Sequence, residues 1–270
     1  MPVNPVQPAA PWLGGKRNLA KRITAILDGV PHKTYAEPFV GMGGIFLRRS
    51  MRPRCEVIND YGRDVSNLFR ILQRHYPQFL EVLRFQLTTR AEFNRLVDTD
   101  PVTLTDLERA ARFLYLQRTA FGGKVSGKNF GVSKDRPGRF NLSTLEPMLE
   151  DLHTRMAGVV IECLDYSEFI RRYDGSQTLF YLDPPYWGCE NDYGKEMFSR
   201  DMFEALANQL ADIKGQFLMS INDVPEIHAA FAKFECKKVE TTYSVGKQAD
   251  SRGKRGELLI TNVKGCLNGI

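Results

Sequence analysis

Thr178-Leu179-Phe180-Tyr181-Leu182-Asp183-Pro184-Pro185-Tyr186-Trp187 is a short apolar and aromatic run that stops at a carboxylate, two prolines and a pair of rings. Such a run reads as a buried strand bounded by a breaker. The prolines fix φ and remove two N–H donors, so the strand ends there and the loop after it is stiff. Asp183 therefore stands at the carboxyl end of a strand, where open α/β sheets keep their ligand crevices. The carbonyls of Pro184 and Pro185 stay free as acceptors, and Tyr186 offers a flat face beside them. Asp-Pro alone marks only a turn. A carboxylate, a fixed carbonyl and a ring together suit a planar, amine-bearing group such as a nucleobase.

Upstream, Trp12-Leu13-Gly14-Gly15-Lys16 precedes a helix predicted over 18–27, with Leu19, Ile23, Ile26 and Leu27 at helical spacing. The glycines let backbone approach a ligand closely, and Trp12 and Lys16 bring a ring and a cation to the same place. Next, Glu37-Pro38-Phe39-Val40-Gly41-Met42-Gly43-Gly44-Ile45-Phe46 reads as a strand end, a glycine bend and a helix start. Phe46 stands where a dinucleotide fingerprint has its third glycine, and Pro38 lies in the bend, so a pyrophosphate cradle is disfavoured. A ligand with an amino-acid arm fits better, and Glu37 is placed to face its ammonium. A second strand over 55–58 ends at Asn59-Asp60. Asp60 comes 23 residues after Glu37, near the interval of about 20 at which an acidic residue holds a ribose hydroxyl pair.

From 65 to 152 the texture is helical, with a capping box at Thr105-Asp106-Leu107-Glu108. From Arg112 through Arg139 there are seven basic residues and one acid, Asp135, interleaved with aromatic rings. Lysines and arginines there can neutralise phosphates, while Asn129, Ser133 and Asn141 can reach base edges. Beyond the catalytic strand, 190–200 reads as a polar loop and candidate lid. Strands over 236–245 and 257–263 flank a basic hairpin tip that carries Arg252. Strand–helix alternation with glycine bends predicts a doubly wound, Rossmann-like α/β sheet closed by a terminal hairpin. Residues 1–64 and 153–270 would form it, with the mainly helical, basic stretch 65–152 inserted.

The whole chain excludes several classes. It has 37 basic and 32 acidic residues among 270, so a nucleic-acid footprint must be local. Five scattered cysteines and four scattered histidines show no ligand spacing, which points to no metal site and a reducing, cytoplasmic setting. No apolar stretch approaches a membrane span, and the first residues lack a signal-peptide core.

In order and content these motifs resemble those of the Dam-type (D12 class) DNA N6-adenine methyltransferases. The resemblance implies a Rossmann-like methyltransferase with a target-recognition insertion at 65–152, acting on double-stranded DNA with S-adenosyl-L-methionine. It assigns Asp183, Pro184, Pro185 and Tyr186 to catalysis. It puts Trp12, Lys16, Glu37, Phe39, Gly41, Asp60 and Asp183 at the cofactor, with Asp165 or Tyr166 beside its adenine. Arg118 matches an arginine that contacts DNA in the family. Lys124, Lys128, Asn129, Ser133, Lys134, Arg136, Arg139, Asn141 and Arg252 are DNA-binding candidates on chemistry alone. Where relatives have an asparagine two residues after the aspartate, this chain has Gly62. A bacterial or phage enzyme of the restriction-modification kind is the expectation, monomeric or dimeric on DNA. A cytosine-C5 enzyme would need a cysteine after a proline, and none is present. Two other readings stay open at this point: a methyltransferase acting on RNA or protein amino groups, and an inactive scaffold that binds DNA.

Overall fold

The computed structural model describes residues 1–125, 127–132, 134–135, 137–189, 198–242 and 254–268. Seven strands form one sheet: Thr34–Glu37 (β1), Cys55–Asn59 (β2), Val160–Glu162 (β3), Thr178–Leu182 (β4), Gln216–Asn222 (β5), Glu235–Thr242 (β6) and Lys254–Thr261 (β7). Their order is β3-β2-β1-β4-β5-β7-β6. β1 to β5 run parallel, and β7 inserts antiparallel between β5 and β6. Chain order reverses between β1 and β4, which are direct neighbours. Their carboxyl ends diverge there, and this is where a doubly wound sheet opens a crevice.

β4 is buried along its whole length, as a continuous apolar run in a parallel sheet must be. Its alternate side chains serve opposite faces. Leu179 and Tyr181 join the core formed with helices Ala20–Gly29 (α1), Arg63–Arg74 (α2), Tyr76–Leu83 (α3), Arg90–Asp98 (α4), Asp106–Thr119 (α5) and Leu142–Met156 (α6). Phe180 and Leu182 join the core under Tyr166–Tyr173 (α7), Asp201–Asp212 (α8) and Pro225–Ala230 (α9). The helices between β2 and β3 thus share one core with α1 and one face of the sheet.

Local chemistry sets the helix starts. Thr105 and Glu108 form the reciprocal capping box at α5, and Asn141 caps α6 by accepting from the Ser143 amide at 3.0 Å. α1 begins two residues later than its apolar spacing predicts, since Leu19, though buried, sits at the N-cap. Pro77 sits in the first turn of α3, a position that tolerates its missing donor. The apolar run from Val159 yields only the short edge strand β3, because Asp165 then caps α7 by accepting from Ser167 N. Of the lid candidate, 190–200, residues 190–197 lie outside the described residues, as do 246–253 of the hairpin tip, 246–256.

A buried ion cluster joins the sheet to α6. Glu56 of β2 accepts from Arg155 Nη1 and Nη2 at 2.7 and 2.8 Å, with Arg49 Nη1 at 3.6 Å. All three are at most 3 % exposed. The arginines lie against the rings of Phe46 and Tyr35, 4.1 and 4.0 Å from their centroids. Removing the carboxylate leaves the Arg155 guanidinium buried without its counter-charge and Arg49 with Asp28 Oδ1 at 3.7 Å. Glu56→Leu is expected to lower unfolding stability by about 3–5 kcal/mol in urea titrations. A loss below about 0.5 kcal/mol, the range of ordinary surface substitutions, would contradict the pairing.

Candidate active site and ligand cavity

The crevice at the β1/β4 switch opens into a cavity of about 1030 Å³. Three segments build its floor. β1 ends in Glu37, β2 ends just before Asp60, and β4 ends just before Asp183, so three carboxylates meet there through strand register alone. The N-terminal stretch 12–16 closes one side. Trp12 lies over Gly41, where φ is +49° and an added Cβ would sit 2.7 Å from the indole Nε1. Only glycine allows both that backbone conformation and that approach.

Each carboxylate has its own environment. Asp60 accepts from Gly41 N at 2.9 Å and from Gly62 N at 2.8 Å, and burial still pushes its carboxyl up to about 6. Glu37 is 1 % exposed and accepts from the Tyr35 hydroxyl at 2.7 Å. Burial pushes it up to about 8, with the charge of Asp183 acting in the same direction. Asp183 is pushed up to about 6 by burial and held back by Lys16, whose Nζ lies 2.5 Å from Oδ1. The 22 % of its side chain that stays exposed leaves it reachable by a ligand in the cavity, which it lines.

Lys16 is itself 3 % exposed, and its Nζ also donates to the Tyr186 hydroxyl at 2.9 Å. Trp187 is fixed through its backbone: its N–H donates to Asn222 Oδ1 at 3.0 Å, and Asn222 Nδ2 donates to its carbonyl at 3.1 Å. The Asp-Pro-Pro-Tyr loop is therefore held at both ends.

The opposite wall is basic and comes from α5 and the loop that joins it to α6. Arg118, Lys128 and Arg139 line it, with the exposed ring of Phe121 at the same wall. Lys128 lies 5.4 Å from the Phe113 ring centroid, and burial pushes its ammonium down to about 8. Arg118 donates to the carbonyls of Ala9 at 2.5 Å and Arg139 at 3.2 Å. Gln117 bridges the carbonyls of Pro11 and Gly123, tying α5 and the basic loop to the 12–16 stretch.

Trp12, Lys16, Glu37, Phe39, Gly41, Asp60, Asp183 and Pro185 thus line one cavity with Arg118, Lys128 and Arg139. Asp165 and Tyr166 stand outside its lining. Asp165 caps α7, and Tyr166 is 8 % exposed and packs behind Phe39 at 5.6 Å between ring centroids. Pro184 is buried, and Tyr186 sits behind Lys16. Lys124 and Asn129 lie on the basic loop away from the lining, Lys134 is exposed, and Asn141 serves as a helix cap. Ser133, Arg136 and Arg252 lie outside the described residues.

Sequence reading missed Glu257, Asn222 and Asn59. Glu257 is a lone acid opening the apolar run of β7, and Asn222 is a polar stop on β5; both signals are visible only once the strands are aligned. Asn59 donates to the carbonyls of Pro38 and Leu164 and accepts from Leu164 N, lacing three strand ends together. Among the described residues no group of three or more His, Cys, Asp or Glu side chains could hold a metal, and no helix is long and apolar enough to cross a membrane.

The chain is similar to several known proteins. The type II methyltransferase M1.LlaDCHI of Lactococcus lactis subsp. cremoris is 30 % identical over 282 aligned positions, covering 95 % of each chain. The type II methyltransferase M.CviBI of Paramecium bursaria Chlorella virus NC1A is 23 % identical over 242, covering 88 % of this chain and 91 % of its own. A crystal structure of SMU.472 complexed with SAH aligns with 92 % of this chain at 13 % identity and a TM-score of 0.36; the chain spans about half, 52 %, of that structure. The profile of the D12 class N6 adenine-specific DNA methyltransferases matches residues 12–245. The match over residues 12–245, together with the 30 % identity to M1.LlaDCHI, shows that the chain belongs to the D12 class of N6 adenine-specific DNA methyltransferases.

Proposed function

We propose that the protein methylates the N6 amine of an adenine within a specific duplex sequence, after the base has turned out of the helix to meet Asp183. The observation that carries this reading is the Asp183 carboxylate, paired with Lys16 and open to the same cavity that Glu37 and Asp60 line.

S-adenosyl-L-methionine is the cofactor of this class, and the residues present fit it. Gly41 lets the indole of Trp12 lie against the glycine bend. Asp60 keeps acceptor capacity beyond its two backbone bonds, which suits a ribose diol. Glu37 would face the ammonium of the amino-acid arm. When bound, the cofactor supplies a methyl carbon made electrophilic by the adjoining sulfonium.

The remaining work falls to the chain. An adenine N6 lone pair is delocalised into the ring and is a weak nucleophile. Asp183 and the Pro184 carbonyl accept hydrogen bonds from the two amine hydrogens and stabilise the positive charge that grows on N6. The proton that N6 then gives up has Asp183 as its nearest base. Eversion of the base costs a few kcal/mol. Stacking on an aromatic side chain returns roughly 1–3 kcal/mol. Tyr186 is the ring beside the carboxylate. Residues 65–152 read the target, with Lys124, Lys128, Lys134 and Arg139 contacting phosphates.

Mass analysis of nucleosides from treated duplex DNA is expected to reveal N6-methyldeoxyadenosine. Asp183→Ala is expected to slow its formation by roughly 10²–10³-fold, as for other preorganised contacts. Methylation confined to cytosine, or an unslowed variant, would overturn the assignment. Lys124→Ala combined with Lys128→Ala is expected to flatten the salt slope of DNA binding by up to about 2, at about 0.9 per phosphate contact. An unaltered slope would move those contacts elsewhere.

Glu37 adds a proton signature. With its carboxyl at about 8 it is largely neutral near pH 7. A cation arriving beside it draws it back to the ionised form. Binding is then expected to release of the order of one proton and to tighten as pH rises toward 8. Calorimetry in buffers of different ionisation enthalpy checks this. The wild type is expected to depend on the buffer and Glu37→Gln is not; equal dependence would exclude Glu37 from the cofactor site.

A further inference from the structure

We propose that Glu257, on β7 between β5 and the edge strand β6, is a positioning residue for the methylation reaction: it fixes the ring of Tyr186 and the ammonium of Lys16 against Asp183. The proposal rests on the reading of Asp183 as the acceptor of the substrate amine. Glu257 is fully buried, and the Tyr186 hydroxyl donates to it with both carboxylate oxygens at 2.6 Å. The same hydroxyl accepts from Lys16 Nζ at 2.9 Å, and that ammonium lies 3.3 Å from Glu257 Oε1 and 2.5 Å from Asp183 Oδ1. Lys16 is thus a buried cation shared between two carboxylates, and a phenol closes the set.

Sheet register explains why Glu257 is suited to this. It pairs with Asn222 across the antiparallel β5–β7 ladder. Asn222 grips the backbone of Trp187 through two hydrogen bonds, and Glu257 grips the hydroxyl of the preceding residue, Tyr186. One rung of the sheet therefore holds two successive residues of the loop, one by its backbone and the other by its side chain. A ring tethered at its hydroxyl cannot swing about its Cα–Cβ bond, since that rotation would carry the hydroxyl away from Glu257.

The ammonium also lies over the Tyr186 ring, 4.5 Å from the centroid. That face of the ring is taken by the cation. Glu257 is what keeps the cation there. An unpaired lysine in so buried a place would be driven to lose its charge. Two carboxylates and a hydroxyl hold it as an ammonium. Glu257 touches neither methyl donor nor base in this arrangement and acts through Tyr186 and Lys16.

The test is a double-mutant cycle in single-turnover methylation of a target duplex, using Tyr186→Phe, Glu257→Gln and the pair. Phenylalanine keeps the ring and glutamine keeps the shape, so each removes the tether with least disturbance. Each single variant is expected to slow the chemical step roughly 10- to 100-fold, the worth of a hydrogen bond to a charged group. The cofactor concentration for half-saturation is expected to stay within about 3-fold, since the tether acts on the chemical step alone. The pair is expected to be no slower than the slower single, because both remove one interaction. Glu257→Gln is further expected to move the acid limb of the rate profile to lower pH, since one negative charge near Asp183 is gone. Multiplying effects in the pair, an unmoved acid limb, or an unslowed Glu257→Gln would overturn the proposal. Asp183→Ala run alongside separates the two levels. If it too methylates normally, the reading of the site has failed. If it alone is inactive, only the role of Glu257 has.

Discussion

A single buried ammonium holds the candidate active site together. Lys16 comes from the N-terminal stretch, Asp183 from the end of β4 and Glu257 from β7, and no two are neighbours in sequence. Ions this deep interact strongly because little solvent screens them, and removing one partner leaves the others uncompensated. The cluster therefore does two things at once. It fastens the N-terminal stretch onto the catalytic end of the sheet, and it keeps Asp183 ionised in surroundings that would otherwise favour its neutral form.

The sheet supplies the frame in which that cluster can exist. Because β1 and β4 are parallel neighbours at the point where strand order reverses, Glu37 and Asp183 project from adjacent strand ends into one crevice. Asp60, past the next strand, completes an acidic floor. Helix α5 and the loop that joins it to α6 bring Arg118, Lys128 and Arg139 to the opposite wall. The cavity is thus split in charge, with a floor that suits a cationic cofactor and a rim that suits a polyanion. Gln117 links the two walls through the carbonyls of Pro11 and Gly123.

Much of this was legible in the residues. The apolar run before Asp183, the glycine bend after Glu37 and the interval to Asp60 all follow from strand-end chemistry, which is local and leaves a mark in sequence. The capping box at Thr105 and the helical texture of 65–152 are local as well. What was not legible depends on register. Glu257 reads as an isolated acid until β7 is set antiparallel beside β5, and Asn222 reads as an ordinary strand terminus until Trp187 is folded back onto it. Double duty also hides in sequence. Asn141 and Arg118 carry the chemistry of base and phosphate readers, yet the fold occupies one with a helix cap and the other with two backbone carbonyls. Asp165 likewise offers a carboxylate at a strand end and uses it to start α7.

Chemistry and stability are joined at Lys16. Its charge opposes the upward push that burial exerts on Asp183, whose carboxyl stands at about 6. Protonation removes the negative charge that stabilises the cation growing on N6, so the methylation rate falls as the solution is acidified through that pH. The most direct measurement is the single-turnover rate against pH for Lys16→Met at saturating cofactor, beside the wild type. The wild type is expected to show an acid limb near 6, moved to higher pH once the ammonium is gone. An acid limb at the same pH in both proteins would contradict that expectation.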